Sequence, residues 1–437
     1  MIDPLPHAVE ERSKEDTVGL PIRRPSRWLA ALVFLCLAPT AWGLPTSPFL
    51  TQFWHRPLAL GGEPPPPWPV FERKLSASTC ALCHQSQYKQ WRKSRHALAM
   101  GPGVIGQLAA AGLAHPRFVR NCLSCHAPGN RQELAVKAFM VGAPLTPFAR
   151  QGITCADCHV RHYQRFGPPL SAYLAAGRVV HNGFTPESDF THSRFCASCH
   201  QFHKSGARLN GVLLENTYNE WRASPYAKDG ITCQSCHMPK GRHDFYGIHN
   251  RQFVRRALTI HMDLSPSLPG HPIHATLSIT NSGVGHDFPT YTTPRVAVSL
   301  QQMCGRRTCR HSTRQIIIGR SISLDLRHQY YDTRLAPGAR RTLRYEVPRV
   351  AAATAVLGRI IVYPDAAYVH FFHAYLAAYA LTPDERGLIE RALKRDENSR
   401  YILWSRRQEL TVVPTSSQVA RQSHTSNTRA QDVGQRP

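Results

Sequence analysis

The chain has 437 residues, of which 42% are apolar and 19% charged, so it is long enough for several domains, and it has no apolar run of the length a membrane helix needs. Its 53 Lys and Arg residues outnumber 28 Asp and Glu residues, which gives a net charge of +25. This excess is divided about equally between residues 44–250 and 251–437. Because a nucleic-acid-binding protein usually concentrates its charge on one arm or face, we expect no nucleic-acid partner.

Residues 1–43 have the features of an export signal. Three arginines between positions 23 and 27 precede a short apolar run at 29–38, and Ala41 and Gly43 provide small residues at a cleavage site. We therefore predict a signal peptide that is removed after Gly43 and a protein that is periplasmic or secreted. Residues 44–75 are rich in proline and predict an extended arm that lies over the body or links it to the membrane.

Five Cys-x-x-Cys pairs follow the arm, and a His comes directly after each pair. The motifs are Cys80, Cys83 and His84; Cys122, Cys125 and His126; Cys155, Cys158 and His159; Cys196, Cys199 and His200; and Cys233, Cys236 and His237. In c-type haem attachment the two thiols bond to the porphyrin and the His binds the iron. Zinc sites and disulfides also use paired cysteines, but neither explains a His at the same place five times.

The sequence therefore predicts five covalently attached haem c groups in a domain that spans residues 76–255. So few residues per haem cannot build ordinary layers of secondary structure, so we expect short helices and loops around a core of haems. Within this domain residues 88–97 and 218–227 share five of the same side chains, but Tyr226 replaces His96. We interpret this pattern as the duplication of a haem-binding unit.

Beyond the haem domain the apolar residues alternate with polar ones, as in β-strands. The alternating runs are 258–264, 273–279, 296–300, 316–318, 322–326, 343–347 and 356–362. This pattern predicts an immunoglobulin-like β-sandwich over residues 256–373. Cys304 and Cys309 flank a short turn, which predicts a hairpin disulfide in an oxidising compartment.

The end of the chain predicts a helix and then a tail. Thr382, Pro383 and Glu385 form a helix start with a capping box, inside a helical segment at 374–412. Residues 413–437 are polar and predict disorder. The predicted fold class is thus α+β multidomain, with a helical and loop-rich pentahaem domain, an immunoglobulin-like β-sandwich and a C-terminal helix.

Several segments resemble the multihaem cytochromes related to cytochrome c-554. They are Trp91-x-x-Ser94-x-His96-Ala97 and the segments 195–202, 217–221 and 230–239. Longer relatives carry a β-sandwich with a Gly-His-x-x-Pro-Thr-Gly element and an Asp-Thr-Arg element, which correspond here to residues 285–291 and 332–334. The resemblance covers residues 76–365. This chain has Tyr291 where the relatives have Gly, and residues 160–162 also depart from the usual Gly-Pro-Gly.

The second axial ligand of each haem iron is not fixed by spacing. Nine further His residues are available: His96, His115, His162, His181, His192, His203, His243, His249 and His286. The resemblance favours His96, His162, His243 and His249 as iron ligands. His286 either binds iron or attaches the sandwich to the haem domain.

Three functions are compatible with this sequence. The favoured one is a periplasmic pentahaem c-type cytochrome that transfers electrons between redox partner proteins. The second is an oxidoreductase that acts on a small nitrogen or sulfur compound, such as nitrite, nitric oxide or hydroxylamine, at one open haem, with Tyr226 as its catalytic residue. In that case Tyr226 lies over an iron; otherwise it packs or bonds to a propionate. The third is a structural electron conduit in an extracellular or outer-membrane assembly.

The charge predicts the kind of partner. Propionates lower the net charge of the oxidised holo-protein to roughly +20, because each ferric haem contributes about −1. We therefore expect an acidic or membrane-bound redox partner, or association with an anionic membrane surface, with binding that weakens as salt increases.

Overall fold

The computed structural model describes residues 47–64, 68–111, 116–169, 184–266, 270–324 and 326–410. The predicted signal peptide and the predicted tail lie outside these residues, as do His115 and His181. Within the described part, no helix has the length and apolar character needed to cross a membrane.

The Pro-rich arm packs on the haem domain. Helix α1, Pro48–Phe53, begins with proline at its first turn and is capped by the Ser47 side chain. Phe53, Leu58 and Trp68 are buried, and the backbone N–H of Leu58 donates to the carbonyl of Pro128. The described part of the arm therefore lies over the body, one of the two arrangements that the composition suggested.

The haem domain consists of short helices and very short strands. Its helices are α2, Ala77–Cys80; α3, Gln85–Trp91; α4, Pro102–Ala111; α5, Pro116–His126; α6, Asn130–Met140; α7, Cys155–His159; α8, Arg194–His200; α9, Thr217–Arg222; α10, Pro225–Lys228; α11, Cys233–His237; and α12, Arg251–Arg256. Its strands are β1, Val160–Arg161; β2, Gln164–Gly167; β3, Phe184–Pro186; β4, Arg208–Leu209; and β5, Val212–Leu213. Helices α5, α7, α8 and α11 each end at the His of an attachment motif, so the motifs lie at helix ends.

The internal repeat has the same hydrogen bond in both copies. The indole N–H of Trp91 donates to the carbonyl of Ile153, and that of Trp221 donates to Ile231 in the same way. In each copy this bond joins the helix after one attachment motif to the loop before another. The two copies are therefore alike in local structure, as duplication predicts.

Two antiparallel sheets follow the haem domain. Their strands are β6, Leu258–Leu264; β7, Pro272–Asn281; β8, Arg295–Cys304; β9, Arg307–Thr308; β10, Arg314–Ile322; β11, Gln329–Asp332; β12, Arg340–Pro348; β13, Ala355–Tyr363; and β14, Tyr401–Glu409. One sheet has the order β12-β7-β6, and the other has the order β11-β10-β8-β13-β14, with β9 paired to β8. A common core includes Leu277, Val298 and Ile360, all fully buried.

The period-two pattern located most of these strands. The predicted disulfide is confirmed, because Cys304 and Cys309 are bonded across the turn between β8 and β9. The predicted strand at 322–326 is wrong. Strand β10 ends at Ile322, Leu324 and Leu326 are exposed, and the next strand begins at Gln329.

Two helices are inserted between the last two strands. They are α13, Ala366–Ala378, and α14, Pro383–Glu397, and the predicted capping box at the start of α14 is present. The prediction of a purely helical segment at 374–412 is wrong, because β14 returns to pair with β13. Leu403 is buried in β14 while Arg406 and Arg407 are exposed, so this edge strand has a weak alternating pattern.

The inserted helices pack against the haem domain. Ile389 on α14 is fully buried and lies beside Gly106 of α4, where an added Cβ would come within 2.7 Å of the Ile389 Cδ1 atom. Phe372 on α13 lies in the same way against Gly103. The two glycines therefore allow close helix contact at this junction.

We expect Ile389→Ala to lower the free energy of unfolding by about 2 to 5 kcal/mol, because it removes buried methyl groups and leaves a cavity. The control is Ile402→Ala, which changes an isoleucine that is 43% exposed and should cost less than about 1 kcal/mol. Denaturant unfolding of the holo-proteins measures both values. Equal losses in the two variants would contradict the packing described for α14.

Candidate haem-binding site

None of the ten cysteines of the attachment motifs is bonded to another cysteine in this structure. Within the described residues, no three His, Cys, Asp or Glu side chains are grouped in a way that could hold a metal ion. The arrangement thus offers no zinc cluster in that part of the chain. Each motif instead presents two thiols and one imidazole, the set that c-type haem attachment needs.

The motifs lie close together in space. Thiols of different motifs lie side by side in three pairs, which are Cys80 with Cys155, Cys125 with Cys199, and Cys196 with Cys233. Cys158 of the third motif also lies within electrostatic range of Cys196 and Cys199. The fourth motif is therefore adjacent to the second, the third and the fifth, and the first is adjacent to the third.

Three imidazole pairs have the spacing of two axial ligands. Two rings that bind one metal ion from opposite sides have centroids about 6 Å apart, because each metal–nitrogen bond is about 2 Å long. The centroids are 6.1 Å apart for His96 and His200, 6.2 Å for His159 and His243, and 6.4 Å for His237 and His286. The rings are inclined by 47°, 37° and 11° in the same order. Each pair contains one motif His.

The motif imidazoles are oriented by hydrogen bonds at Nδ1. These bonds join His126 to the carbonyl of Ala99, His159 to that of Phe166, His237 to that of Tyr246, and His200 to the hydroxyl of Tyr291. A proton on Nδ1 leaves Nε2 with a lone pair for the iron. The three carbonyl partners therefore fix the tautomer that iron ligation through Nε2 would require. The Tyr291 hydroxyl is compatible with the same tautomer of His200 when it accepts the Nδ1 proton.

Three His residues outside the motifs face motif His residues. His243 Nδ1 bonds to the carbonyl of Gly241, and His286 Nδ1 bonds to that of Asp287. Burial lowers the pKa of His96 to about 3 and that of His286 to about 4. These imidazoles are neutral at pH 7, as iron ligation requires. His96 and His243, which the resemblance favoured, and His286, whose role was open, thus have suitable geometry for the fourth, third and fifth haems.

His249 and His162 lie in other surroundings. The Nε2 atom of His249 is 2.9 Å from a carboxylate oxygen of Asp365 and 2.7 Å from a guanidinium nitrogen of Arg95. In this arrangement the Nε2 atom of His249 contacts Asp365 and Arg95, and the ring is not paired with a motif His as in the three pairs above. His162 is exposed, with a φ of +48°, and among the described residues its ring is not paired with that of another His.

Tyr226, the residue considered for catalysis at an open haem, contacts the sheet domain. Its hydroxyl donates to the carbonyl of Ser282, at 3.1 Å, and its ring lies against Gly285. The side chain thus attaches α10 to the loop before His286. This contact favours packing, which was the alternative to a catalytic role.

A buried ion cluster holds the loop that carries His286. Arg334 lies 2.8 Å from Glu220 of the haem domain and 2.8 Å from Asp332. Glu220 also accepts hydrogen bonds from the Asp287 backbone N–H and the Thr290 hydroxyl. Arg334 belongs to the Asp-Thr-Arg element, and Glu220 to the repeat. The two motifs therefore meet beside the His237 and His286 pair.

Buried donors without partners indicate where propionates fit. Among the described residues, five such N–H groups are on the arm or near the third motif, on Trp54, Arg56, Trp68, Arg161 and Arg165, and a sixth is on Arg359 of β13. Arg56 also bonds to the carbonyl of Ser198 and to the Cys199 thiol. Guanidinium groups suit carboxylates, so these residues fit the acidic edges of haem c. The sequence analysis missed them because a single Arg in a Pro-rich arm has no motif.

Comparison with known proteins supports the haem assignment. Residues 79–160 match the family model described as cytochrome c554 and c-prime. A solved penta-heme cytochrome c552 from Thermochromatium tepidum has a TM-score of 0.52 and 18% identity, over 78% of this chain and 99% of that chain. At that identity the likeness shows the fold alone.

Two further comparisons add no support. An alkylpurine DNA glycosylase AlkC of Pseudomonas fluorescens, bound to DNA with an abasic site analogue, aligns over 79% of this chain and 83% of that one. Its TM-score of 0.15 and identity of 9% carry no argument. No curated protein matches the chain. The attachment motifs, the family match and the shared fold identify the chain as a multihaem c-type cytochrome that resembles the cytochrome c554 family.

Proposed function

We propose that the protein is a periplasmic pentahaem c-type cytochrome that transfers electrons between redox partners. The three imidazole pairs carry this proposal. An iron with two His ligands has no open position, so it exchanges electrons without binding a substrate. When bound, the haems supply reversible one-electron chemistry, and the protein supplies their ligands and spacing.

The arrangement of the motifs supports conduction through the domain. The fourth motif adjoins three others, so a haem attached there would connect separate branches. We refer to the haems by the number of their motif. With five haems attached, electrons could pass between haem 4 and each of haems 2, 3 and 5, and from haem 3 to haem 1.

We also propose that the sheet domain is immunoglobulin-like and serves as a packing and docking module. Strands β6, β7 and β12 form one sheet, in the places of A, B and E in an immunoglobulin fold. Strands β8, β10, β11, β13 and β14 take the places of C, C′, C″, F and G. This module provides His286, so it contributes to the haem domain as well as covering it.

The partners and location rest on charge and on the export signal. The net charge of +25 favours an acidic or membrane-bound partner, with association that weakens as ionic strength rises. Periplasmic location follows from residues 1–43 and from the attachment of haem c outside the cytoplasmic membrane. The third function, a conduit in an extracellular or outer-membrane assembly, would use the same haem arrangement as the carrier. It differs from the carrier function because the protein would then assemble into oligomers as its concentration rises.

The test is expression in a host that matures c-type cytochromes, followed by mass spectrometry and electron paramagnetic resonance. We expect five haems per chain and low-spin signals from at least haems 3, 4 and 5. A chain with five haems and predominantly high-spin iron would refute the carrier function. A lower haem count would refute the pentahaem assignment.

The enzymatic alternative requires one haem with an open position. Such a haem could bind nitrite, nitric oxide or hydroxylamine. Addition of cyanide or nitric oxide distinguishes the functions, because only an open haem changes its spectrum.

A further inference from the structure

The fourth motif differs from its neighbours in what orients its His. The Nδ1 partners of His126, His159 and His237 are backbone carbonyls. The partner of His200 is the Tyr291 hydroxyl, with 2.7 Å between nitrogen and oxygen. Tyr291 lies in the loop of the sandwich that also carries His286.

The Tyr291 hydroxyl belongs to a longer network. The Tyr291 side chain is buried, and its hydroxyl lies close to the Thr217 side chain. The Thr217 hydroxyl donates to a carboxyl oxygen of Glu215 at 2.7 Å, and lies 2.8 Å from the hydroxyl of Thr290. Side-chain hydroxyls therefore connect His200 to a carboxyl group.

The hydrogen-bond partner of the second nitrogen of a ligand imidazole alters the reduction potential of the iron that the imidazole binds. An acceptor at Nδ1–H makes the imidazole a stronger electron donor and stabilises the oxidised iron, which lowers the reduction potential. Because the Thr217 hydroxyl donates its proton to Glu215, its oxygen is free to accept the proton of Tyr291. Hydrogen bonds in such a chain polarise one another, so donation to Thr217 would make the Tyr291 hydroxyl a stronger acceptor for His200. A backbone carbonyl acceptor, in contrast, cannot be removed by a side-chain substitution.

We propose that Tyr291 is a positioning residue that sets the reduction potential of haem 4, holding it lower than it would be without the hydroxyl, with Thr217 in support. The inference deepens the proposed electron-transfer function and rests on it. Because the fourth motif adjoins three others, this potential controls how readily electrons pass between the branches.

The experiment is Tyr291→Phe in the holo-protein, followed by spectroelectrochemical titration and electron paramagnetic resonance. We expect one of the five potentials to shift upward, while the haem content and the number of low-spin haems stay unchanged. Thr217→Val, which keeps the tyrosine, should shift the same haem upward by a smaller amount. The matched control is Tyr345→Phe, which removes a buried hydroxyl bonded to the carbonyl of Ser312 within the sandwich and should leave all five potentials unchanged.

Three results would overturn the proposal. They are unchanged potentials in both the Tyr291 and Thr217 variants, a downward shift of haem 4, and a loss of low-spin signal with no change in potential. The last result would mean that Tyr291 only holds His200 in place. If Tyr291→Phe does not fold, Thr217→Val decides alone. Failure of the carrier function itself would appear separately, as high-spin iron in the unmodified protein.

Discussion

Replacing His286 with alanine is expected to leave haem 5 with an open iron position. The ring of His286 faces that of His237 at 6.4 Å, and alanine has no group that can bind iron. One low-spin haem per chain should become high-spin and should bind about one equivalent of carbon monoxide or nitric oxide. Electron paramagnetic resonance and a ligand titration measure both changes.

The control for this prediction is His249→Ala, which makes the same substitution at an ion-paired His. His249 bonds to Asp365 through Nε2, so its loss should leave the number of low-spin haems unchanged. An unchanged spectrum in His286→Ala would show that His286 only attaches the sandwich. A new high-spin haem in His249→Ala would show that our distinction between these two residues is wrong.

Replacing Arg334 with alanine is expected to lower the free energy of unfolding by about 3 to 5 kcal/mol, the usual cost of removing one partner from a buried ion pair. The Arg334 side chain is 5% exposed, and Glu220 and Asp332 would lose their cation. Because Glu220 also holds the loop at Asp287, part of haem 5 should become high-spin. Denaturant unfolding gives the first value and electron paramagnetic resonance the second.

An exposed ion pair provides the matched control. Arg407 lies 2.7 Å from Glu409 at the surface of β14, and such pairs contribute less than about 1 kcal/mol. Arg407→Ala should therefore have a small effect on stability and none on the spin state of any haem. If Arg334→Ala were as mild as Arg407→Ala, the cluster would not be what fixes the loop.

The attachment residues could be predicted from the sequence, whereas the second ligands could not. A Cys-x-x-Cys-His motif is local, so five consecutive residues define it. The ring facing His200 comes from His96, and the ring facing His237 comes from the sandwich, so both depend on tertiary packing. His249 follows the fifth motif closely, yet its partner Asp365 lies 116 residues later, and no local pattern indicates that contact.

The difference between local patterns and contacts that depend on tertiary packing also explains which strands could be predicted. Strands with a buried face, such as β7 and β8, alternate clearly and were located from the sequence. Strand β14 has few buried side chains and follows two helices, so it was assigned to a helical segment. The order of strands in a sheet depends on which strands pair. Strand β14 pairs with β13 although two helices separate them in the sequence, and no local pattern indicates this pairing.

The position of β14 makes the support of one candidate ligand depend on the end of the chain. Residues 401–409 pair with β13 in the domain whose loop carries His286, so that domain is complete only when the last described strand is in place. If the protein is exported as proposed, its attachment motifs would leave the membrane before residues 401–409. A chain in which β14 has not yet paired would then present the five motifs without a completed sheet behind His286.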